Sequence, residues 1–471
     1  MIDEALREEG SAMRQREKAL KILLLGQSES GKSTTLKNFR RLFARDQWEK
    51  ERLAWRTVIQ LNIVRAINTI LDTLADEFLE NPPPTPTRSV RSRSDDSHTS
   101  KDSLRSQASP TTDKLQLLRR RLGPLRGVED DLKKMLGPSE AQERSPSTPL
   151  SYLSTRDRAE FYVRSGNWRD TLQVPGASAR FGQGNRASRG NLRGGQPGAG
   201  TATEAHETDS ATEVLVGCKD DMKTLWKDEA VWEILTRREV KFEDSADYFI
   251  SNADRIVTRG YEPSDEDVLR ARLRTMGVQE YHMTSEGESL PTNNIVDPNP
   301  LPPADGYSWL LYDVGGARTQ RSAWQPFFEG VHAIIFLAPV SCFDERLEED
   351  IRFNKLEDSF VLWGGICKSK LLANTTLVLF LNKCDLLEAK IANGAKVKRF
   401  LPSFGDRPNT TDAVIKYLKQ KFKDTMKQNS PERRTLYIYP TSVVDAEETT
   451  ITLNTVRDSI LRENLQNADF V

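Results

Sequence analysis

The sequence predicts an α/β fold in which a doubly wound, mostly parallel sheet is interrupted by an all-helical insertion. Short apolar runs alternate with helical stretches along residues 268–471, as in sheets built from strand–helix–strand units. One more apolar run, Lys21–Leu25, lies near the start of the chain, and the interval between has helical and low-complexity sequence. We therefore expect the sheet to be assembled from residues 21–45 and 268–471.

The first strand leads into a loop suited to phosphate. Lys21–Leu25 is typical of a buried parallel strand, and Gly26–Ser33 follows it directly. Backbone amides of such a loop surround a phosphate chain, Lys32 would reach the outer phosphates, and the Ser33 hydroxyl would bind magnesium. A glycine turn with a chance lysine is disfavoured, because a strand precedes the loop and a helix is predicted after it. The loop indicates a nucleotide without specifying the base.

The long interval is predicted to form a helical domain, residues 46–267, around a low-complexity insert. Apolar residues recur at helical spacing from Asp46 to Phe78, where no glycine or proline interrupts one long amphipathic helix. Helical spacing resumes from Thr212 to Ile256. Residues 81–212 are rich in Pro, Ser, Thr, Arg and Gly, which cannot bury enough apolar surface to fold. We expect that insert to be largely disordered.

The strand Trp309–Tyr312 ends in the motif Asp313-Val314-Gly315-Gly316. Asp313 would hold magnesium through water, and the amide of Gly316 would meet the terminal phosphate of a triphosphate. A tight glycine turn is the alternative, and the neighbouring motifs disfavour it. Further strands are predicted at Ala333–Ala338 and Leu436–Tyr439.

The strand Leu377–Leu381 ends in Asn382-Lys383-Cys384-Asp385, which selects the base. The Asp385 carboxylate would accept from the two N–H donors on one edge of guanine, and Asn382 would bond the opposite edge. Adenine presents the wrong pattern to this carboxylate. A polar turn would explain the tetrapeptide alone, but its position after the other motifs makes guanine the prediction.

A basic connector, Asp267–Thr275, precedes the second part of the sheet. Thr275 would complete the magnesium shell, and a nearby arginine would neutralise transition-state charge. Residue types alone do not choose among Arg270, Arg272 and Arg274, and basic residues on a connector are often only solvated.

Composition excludes several other classes of protein. The 471 residues carry a formal net charge of −1, which gives no overall attraction to nucleic acid. The four cysteines are widely spaced, which disfavours a disulfide framework or a zinc site. The apolar runs are too short to span a bilayer, so we expect a cytoplasmic protein.

Together these segments resemble the alpha subunit of heterotrimeric G proteins. The resemblance implies a Ras-like GTPase domain interrupted by a helical domain, with GTP or GDP and Mg²⁺ as ligands. It implies a beta-gamma dimer, a G protein-coupled receptor and an effector as partners. The chain is similar to divergent fungal members that carry a low-complexity insert. The resemblance rests on LLLGQSESGKSTTLKNF, DVLRARLRTMGV, LLYDVGGARTQRSAW, FLAPVSCFDE, LVLFLNKCD and PTSVVD.

The resemblance also assigns roles to residues. Arg272 becomes the arginine that stabilises transition-state charge, with Glu29 as its ground-state partner, and catalysis rests on both and on Lys32. The implied metal ligands are Ser33, Thr275 and Asp313. The implied switches are residues 272–278, 315–324 and 344–355, and Thr441-Ser442-Val443 closes over guanine. The implied nucleotide contacts are Glu29, Ser30, Gly31, Lys32, Ser33, Thr34, Leu269, Arg270, Arg272, Thr275, Asp313, Gly316, Asn382, Lys383, Asp385 and Val443.

Ala317 departs from the pattern, because a GTPase of this kind carries there the glutamine that orients the attacking water. A methyl group neither accepts a proton nor orients water, so hydrolysis is predicted to be slow. Gln320 lies about one helical turn further along and is a poor substitute, because the switch would need a new register.

Other departures concern the membrane. The sequence begins Met1-Ile2-Asp3 without the glycine that myristoylation requires, and its first cysteine is Cys218, so no direct lipid anchor is visible. Residues 1–20 predict an N-terminal helix that is short for binding the beta-gamma dimer. Ala468 stands where some members carry the cysteine modified by pertussis toxin. We expect a peripheral location at the inner face of the plasma membrane, through partners.

Two rival functions make different predictions. A GTP-liganded interaction module would bind nucleotide without useful turnover, which a single-turnover hydrolysis measurement distinguishes. A P-loop ATPase or kinase would prefer adenine, which Asn382 and Asp385 disfavour.

Overall fold

The computed structural model describes residues 19–80, 110–136, 162–163, 200–242, 244–275, 277–284, 308–347 and 350–469. They divide into two compact units. The sheet unit comprises the described residues within 1–51, 162–165 and 274–471, and the helical unit those within 52–161 and 166–273. The helix predicted over residues 1–20 lies outside the described residues, except that the first strand begins at Leu20.

The sheet unit contains a six-stranded sheet with the order β4-β5-β1-β6-β7-β8. All neighbouring strands are parallel except β4 and β5. Strands β4 and β5 lie on one side of β1, and strands β6, β7 and β8 lie on the other, so the topological switch point is between β1 and β6. Ligands of such sheets bind at this point, beyond the carboxyl ends of the strands. The strands are β1 (Leu20–Gly26), β2 (Tyr162–Val163), β3 (Arg274–Thr275), β4 (Val278–Thr284), β5 (Ser308–Val314), β6 (Ala333–Pro339), β7 (Thr376–Asn382) and β8 (Leu436–Thr441), of which β2 and β3 form a separate pair.

The predicted doubly wound sheet is confirmed, with one strand more than the sequence indicated. The apolar runs at residues 21, 309, 333, 377 and 436 all lie in strands. The antiparallel edge strand β4 gave no comparable signal, because Gln279 and Met283 are the buried residues within 278–283, the part of the strand whose burial is described. An edge strand of this kind lacks the continuous apolar run that reveals a central strand.

Helices cover both faces of the sheet. Alternate residues of β6 point to opposite faces: Ile334 and Phe336 join one apolar cluster, and Ile335 and Leu337 join the other. The described helices, in chain order, are α1 (Lys32–Phe43), α2 (Arg45–Arg52), α3 (Trp55–Glu80), α4 (Pro110–Arg121), α5 (Leu125–Met135), α6 (Gly200–Lys227), α7 (Glu229–Arg237), α8 (Ala246–Ser251), α9 (Ala253–Ile256), α10 (Asp265–Arg270), α11 (Lys355–Lys368), α12 (Cys384–Ala392), α13 (Val397–Phe400), α14 (Thr411–Asn429) and α15 (Ala446–Asp469). Short 3₁₀ helices cover Arg318–Phe327, Val340–Asp344, Lys370–Leu372 and Pro402–Phe404.

The helical unit is arranged around α3, which packs against α5, α7 and α8. The prediction of one helix from Asp46 to Phe78 is wrong in one respect. The helix is broken into α2 and α3 by a turn in which the amide of Arg56 donates to the carbonyl of Leu53 at 3.2 Å. The break lies at the boundary between the two units, which periodicity alone does not reveal.

Helices α4 and α5 show that part of residues 81–212, predicted to be largely disordered, is folded. From Leu115 to Leu132, buried apolar residues recur every three or four positions, so this part of the insert folds against α3 and α6. The sequence carried the signal, but the surrounding Ser-, Pro- and Arg-rich composition obscured it. Residues 200–212 also belong to a helix, α6, and Tyr162–Val163 form β2; the other residues of the predicted insert lie outside the described residues. The buried residues are Leu115, Leu118, Leu122, Leu125, Val128 and Leu132.

Among the helices that the structure describes, none is long and apolar enough to cross a bilayer.

Candidate nucleotide site

The loop between β1 and α1 has the backbone of a phosphate cradle. Gly26 and Gly31 adopt φ values of 146° and 100°, which favour glycine, and Glu29 also lies in the left-handed region at 62°. A side chain at Gly26 would collide with the carbonyl of Leu337, and one at Gly31 would collide with Asn382. The hydroxyl of Ser30 is buried with no hydrogen-bond partner among the described residues. The loop is thus tightly enclosed, with a polar group left for a ligand.

Lys32 is held at the centre of this loop. Its ammonium group is buried and donates to the carbonyls of Gly26 at 3.0 Å and Gln27 at 2.6 Å. An ammonium carries three donors, so a third remains for a phosphate oxygen. Burial lowers the pKa of Lys32 to about 8, against the opposing effect of the Asp313 carboxylate. An anionic ligand would restore the charge that burial disfavours.

The predicted metal ligands Ser33, in the first turn of α1, and Asp313, near the end of β5, lie next to each other. The Ser33 hydroxyl donates to Asp313 Oδ2 at 2.6 Å, and Asp313 is buried. A hydroxyl beside a carboxylate is the oxygen donor set that Mg²⁺ prefers, so these residues fit the ion. Thr275, the third predicted ligand, lies in β3. Thr34, a predicted phosphate contact, lies in the first turn of α1.

The base-selecting motif is tied to the phosphate loop by Asn382. Its Nδ2 donates to the carbonyl of Ser30 at 2.8 Å, and its Oδ1 accepts from Thr441 Oγ1 and the amide of Val443, each at 3.2 Å. The second hydrogen on Nδ2 remains for a base. The structure therefore brings the two motifs and the predicted guanine-closing segment together at the carboxyl ends of β1, β7 and β8.

Asp385 lies at the exposed end of the same motif. Ser442 Oγ donates to Asp385 Oδ1 at 3.1 Å and accepts from the backbone amide of Asp385 at 3.1 Å. Lys383, with φ of 67°, turns the chain before α12. The exposed carboxylate is thus oriented by the 441–443 segment, as a base-binding group requires.

The segment after β5 rests directly on the phosphate loop. The Cα of Gly316 lies so close to the peptide between Gln27 and Ser28 that a side chain there would collide with it. Trp324 Nε1 donates to the carbonyl of Gly315 at 3.0 Å, and the amide of Gln320 lies over the same glycine. Ala317 is partly buried and precedes the 3₁₀ helix Arg318–Phe327.

A buried polar network joins the loop to α11, and sequence reasoning missed it. Gln27 Nε2 donates to the carbonyl of Lys355 at 2.5 Å and to Asp358 Oδ2 at 2.8 Å. Arg321 donates to both oxygens of Asp358, at 3.1 and 2.6 Å. Lys355 Nζ lies 3.4 Å from Glu29 Oε2. Gln27 and Glu29 lie more than 300 residues from their partners in α11, so the one sequence signal was a large amide side chain within a phosphate loop.

Residues 267–273 of the arginine connector belong to the helical unit, where the structure separates the candidates Arg270 and Arg272. Arg270 donates to Glu266 of α10 at 3.1 Å, and its guanidinium lies over the ring of Tyr248 in α8 at 4.5 Å. These contacts hold the guanidinium within the helical unit. Arg272 is held by its backbone instead. Its amide donates to Asn62 Oδ1 at 2.8 Å, and its carbonyl accepts from Asn62 Nδ2 at 2.9 Å. Leu269 is buried in α10, and the Arg274 side chain lies outside the described residues.

A saturated carboxylate fixes the start of this connector. Asp267 and Ser264 form a reciprocal capping box at the N-terminus of α10. The Asp267 carboxylate also accepts from Arg255 at 2.6 and 2.7 Å, from Tyr248 at 3.0 Å and from Tyr261 at 2.9 Å. Burial alone would raise the pKa of Asp267, but these hydrogen bonds hold it well below its usual range.

Comparison with known proteins identifies a family for this chain. A family model described as the G-protein alpha subunit matches residues 1–460. The guanine nucleotide-binding protein alpha-4 subunit of Mycosarcoma maydis is 30% identical over 499 residues, an alignment that covers 95% of this chain and 83% of that protein.

Proposed function

Because the chain belongs to the G-protein alpha subunit family, whose members bind guanine nucleotides and hydrolyse GTP, we propose that it is a GTP-binding switch with slow hydrolysis. One observation carries the proposal: Asn382 hydrogen-bonds the phosphate loop at Ser30 while it also orders the 441–443 segment. A single bound ligand would therefore contact the phosphate loop at one end and Asp385 at the other. A guanine nucleotide has this shape and these chemical groups.

Each residue at the site has a distinct proposed task. Lys32 would neutralise the outer phosphates, and the loop amides of Glu29–Thr34 would surround them. Ser33, Asp313 and Thr275 would hold Mg²⁺, which neutralises charge on the phosphate oxygens when bound. Gly316 would present its amide to the terminal phosphate. Arg272 would stabilise the charge that develops in the transition state, with Leu269 and Arg270 on the same connector.

Slow hydrolysis is proposed from Ala317. The attacking water must be held in line with the terminal phosphate, and a methyl group offers it no hydrogen bond. The side-chain amide of Gln320 lies close to Gly315, and we propose that it does not replace the missing glutamine at position 317. Charge stabilisation by Arg272, Lys32 and Mg²⁺ would sustain the residual rate.

The family also suggests the partners. We propose that a G protein-coupled receptor promotes nucleotide exchange, that a beta-gamma dimer binds the GDP form, and that the switches contact an effector. A place at the inner face of the plasma membrane would follow from these partners.

The test is single-turnover GTP hydrolysis by the wild type, Ala317→Gln and Arg272→Ala. We expect the glutamine to accelerate hydrolysis at least tenfold, and the alanine at 272 to lower it by on the order of a thousandfold. Arg259→Ala is the matched control, because Arg259 forms an exposed ion pair with Glu213 at 2.7 Å. A wild type as fast as Ala317→Gln would contradict the slow-switch proposal.

Ala317 also favours a second candidate, a GTP-liganded interaction module without useful turnover. This candidate predicts tight GTP binding and no hydrolysis within the lifetime of the complex, with no effect of Arg272→Ala. A measurable rate that falls in Arg272→Ala would exclude it.

A further inference from the structure

The buried amide of Gln27 closes a ring of contacts between the phosphate loop and the segment after β5. The peptide that follows Gln27 lies against Gly316. The carbonyl of Gly316 accepts from Arg321 Nε at 3.4 Å, and Arg321 binds the Asp358 carboxylate. Asp358 in turn accepts from the side chain of Gln27 at 2.8 Å. Each member therefore restrains its two neighbours.

Because the side chains in this ring are buried, the loss of one hydrogen bond is costly. Gln27 is 2% exposed and Asp358 5% exposed, so neither has water to replace a lost partner. Asp358 Oδ2 is shared, because it accepts from both Gln27 and Arg321. Gln27 also donates to the carbonyl of Lys355, in the first turn of α11. The side chain thus fixes both the position and the orientation of the carboxylate that receives Arg321.

We propose that Gln27 is a positioning residue that prepares the segment Gly315–Trp324 for the terminal phosphate of GTP. The inference rests on the proposed function. The amide of Gly316 meets that phosphate only when the segment is ordered against the loop, and the segment is ordered through Arg321 and Asp358. Gln27 holds Asp358 in place beforehand, so less of the binding energy of GTP is used to order the segment. GDP lacks the terminal phosphate and gains nothing from this arrangement.

The test compares the affinities of GTPγS and GDP in wild type and Gln27→Met, with Mg²⁺ present. Methionine keeps the length of the side chain but removes both donated hydrogen bonds. We expect the ratio of GTPγS to GDP affinity to fall about tenfold, which corresponds to about 1.4 kcal/mol. Fluorescence emission of Trp324 should report the ordering of the segment Gly315–Trp324, and the change on adding a limiting concentration of GTPγS should be smaller in Gln27→Met. The variant Trp324→Phe assigns the signal among the eight tryptophans.

Two controls separate positioning from general stability. Gln420→Met removes an amide–carboxylate bond of the same 2.8 Å length on an exposed helix, where Gln420 binds Asp424, and should leave the ratio unchanged. In the Arg321→Ala background, Gln27→Met should have little further effect, because both act through Asp358.

Three results would decide against the inference. An unchanged affinity ratio in Gln27→Met, equal losses for both nucleotides, or additive effects with Arg321→Ala would each show that Gln27 does not prepare the segment. A wild type that binds neither nucleotide would instead overturn the proposed function.

Discussion

Asp267 and Asp313, one in each unit, are the most deeply buried carboxylates among the described residues, and the protein satisfies them in different ways. Asp267 of the helical unit accepts hydrogen bonds from Arg255, two tyrosines and the capping box of α10. Asp313 of the sheet unit accepts from the hydroxyl of Ser33 and lies near the buried ammonium of Lys32. The partners of Asp267 are structural, whereas those of Asp313 are themselves predicted ligands of magnesium and phosphate. Asp267 therefore stabilises the helical unit, whereas Asp313 belongs to a site whose charges respond to a bound ligand.

The largest expected effect is on the stability of the helical unit. Asp267→Asn should lower the free energy of unfolding by about 3 kcal/mol, because it removes a buried charge and leaves its donors poorly matched. Asp313→Asn should cost about 1 kcal/mol, since the pKa of Lys32 is already lowered to about 8 and falls further without the carboxylate, so the ammonium can lose its proton. The variant should also abolish the Mg²⁺ dependence of nucleotide binding. Urea unfolding of both variants without nucleotide measures the difference.

The sign of the pH dependence follows from the lowered pKa of Asp267. The carboxylate contributes stability above its unfolded pKa of about 3.9, and this contribution is lost as the pH falls toward the folded value. The difference between wild type and Asp267→Asn should thus be complete at pH 7 and shrink below about pH 4. Equal stability of the two proteins at pH 7 would show that Asp267 does not stabilise the helical unit.

The same contrast explains what the sequence predicts and what it does not. The glycine loop, Asp313 and Asn382–Asp385 are short, local patterns at strand ends, so the sequence located them and the central sheet. The partners of Asp267 and Gln27 meet only after folding, and no local pattern connects Gln27 with Asp358 or Asn62 with Arg272. Helices α4 and α5 did not follow from the composition, because their periodic leucines from Leu115 to Leu132 lie within Ser-, Pro- and Arg-rich sequence.

A further prediction concerns Asn62 of the helical unit, which holds the backbone of Arg272. Asn62→Leu removes both hydrogen bonds that hold the backbone of Arg272, so we expect single-turnover hydrolysis to fall about tenfold. The matched control is Asn68→Leu on the same helix, where the amide donates to Glu129 at 2.7 Å. The control should lose stability but keep hydrolysis within about twofold. Equal losses of hydrolysis in the two variants would mean that the rate reflects stability alone.

The smallest expected effect is on the pH dependence of GDP affinity, which tests whether the charge of Lys32 responds to a bound phosphate. Without nucleotide its pKa is about 8, so the ammonium is charged at pH 7 and mostly neutral at pH 9. Phosphate favours the charged form, so binding takes up a proton above pH 8, and GDP affinity should fall five- to tenfold between about pH 7.5 and 9. Lys32→Arg keeps its charge throughout this range and should lose the pH dependence, whatever its absolute affinity. Calorimetry in two buffers of different ionisation enthalpy measures both the affinity and the proton uptake. A GDP affinity that is constant from pH 7 to 9.5 with no proton uptake would show that the Lys32 ammonium does not respond to the phosphate, and that this site is as fixed as the one around Asp267.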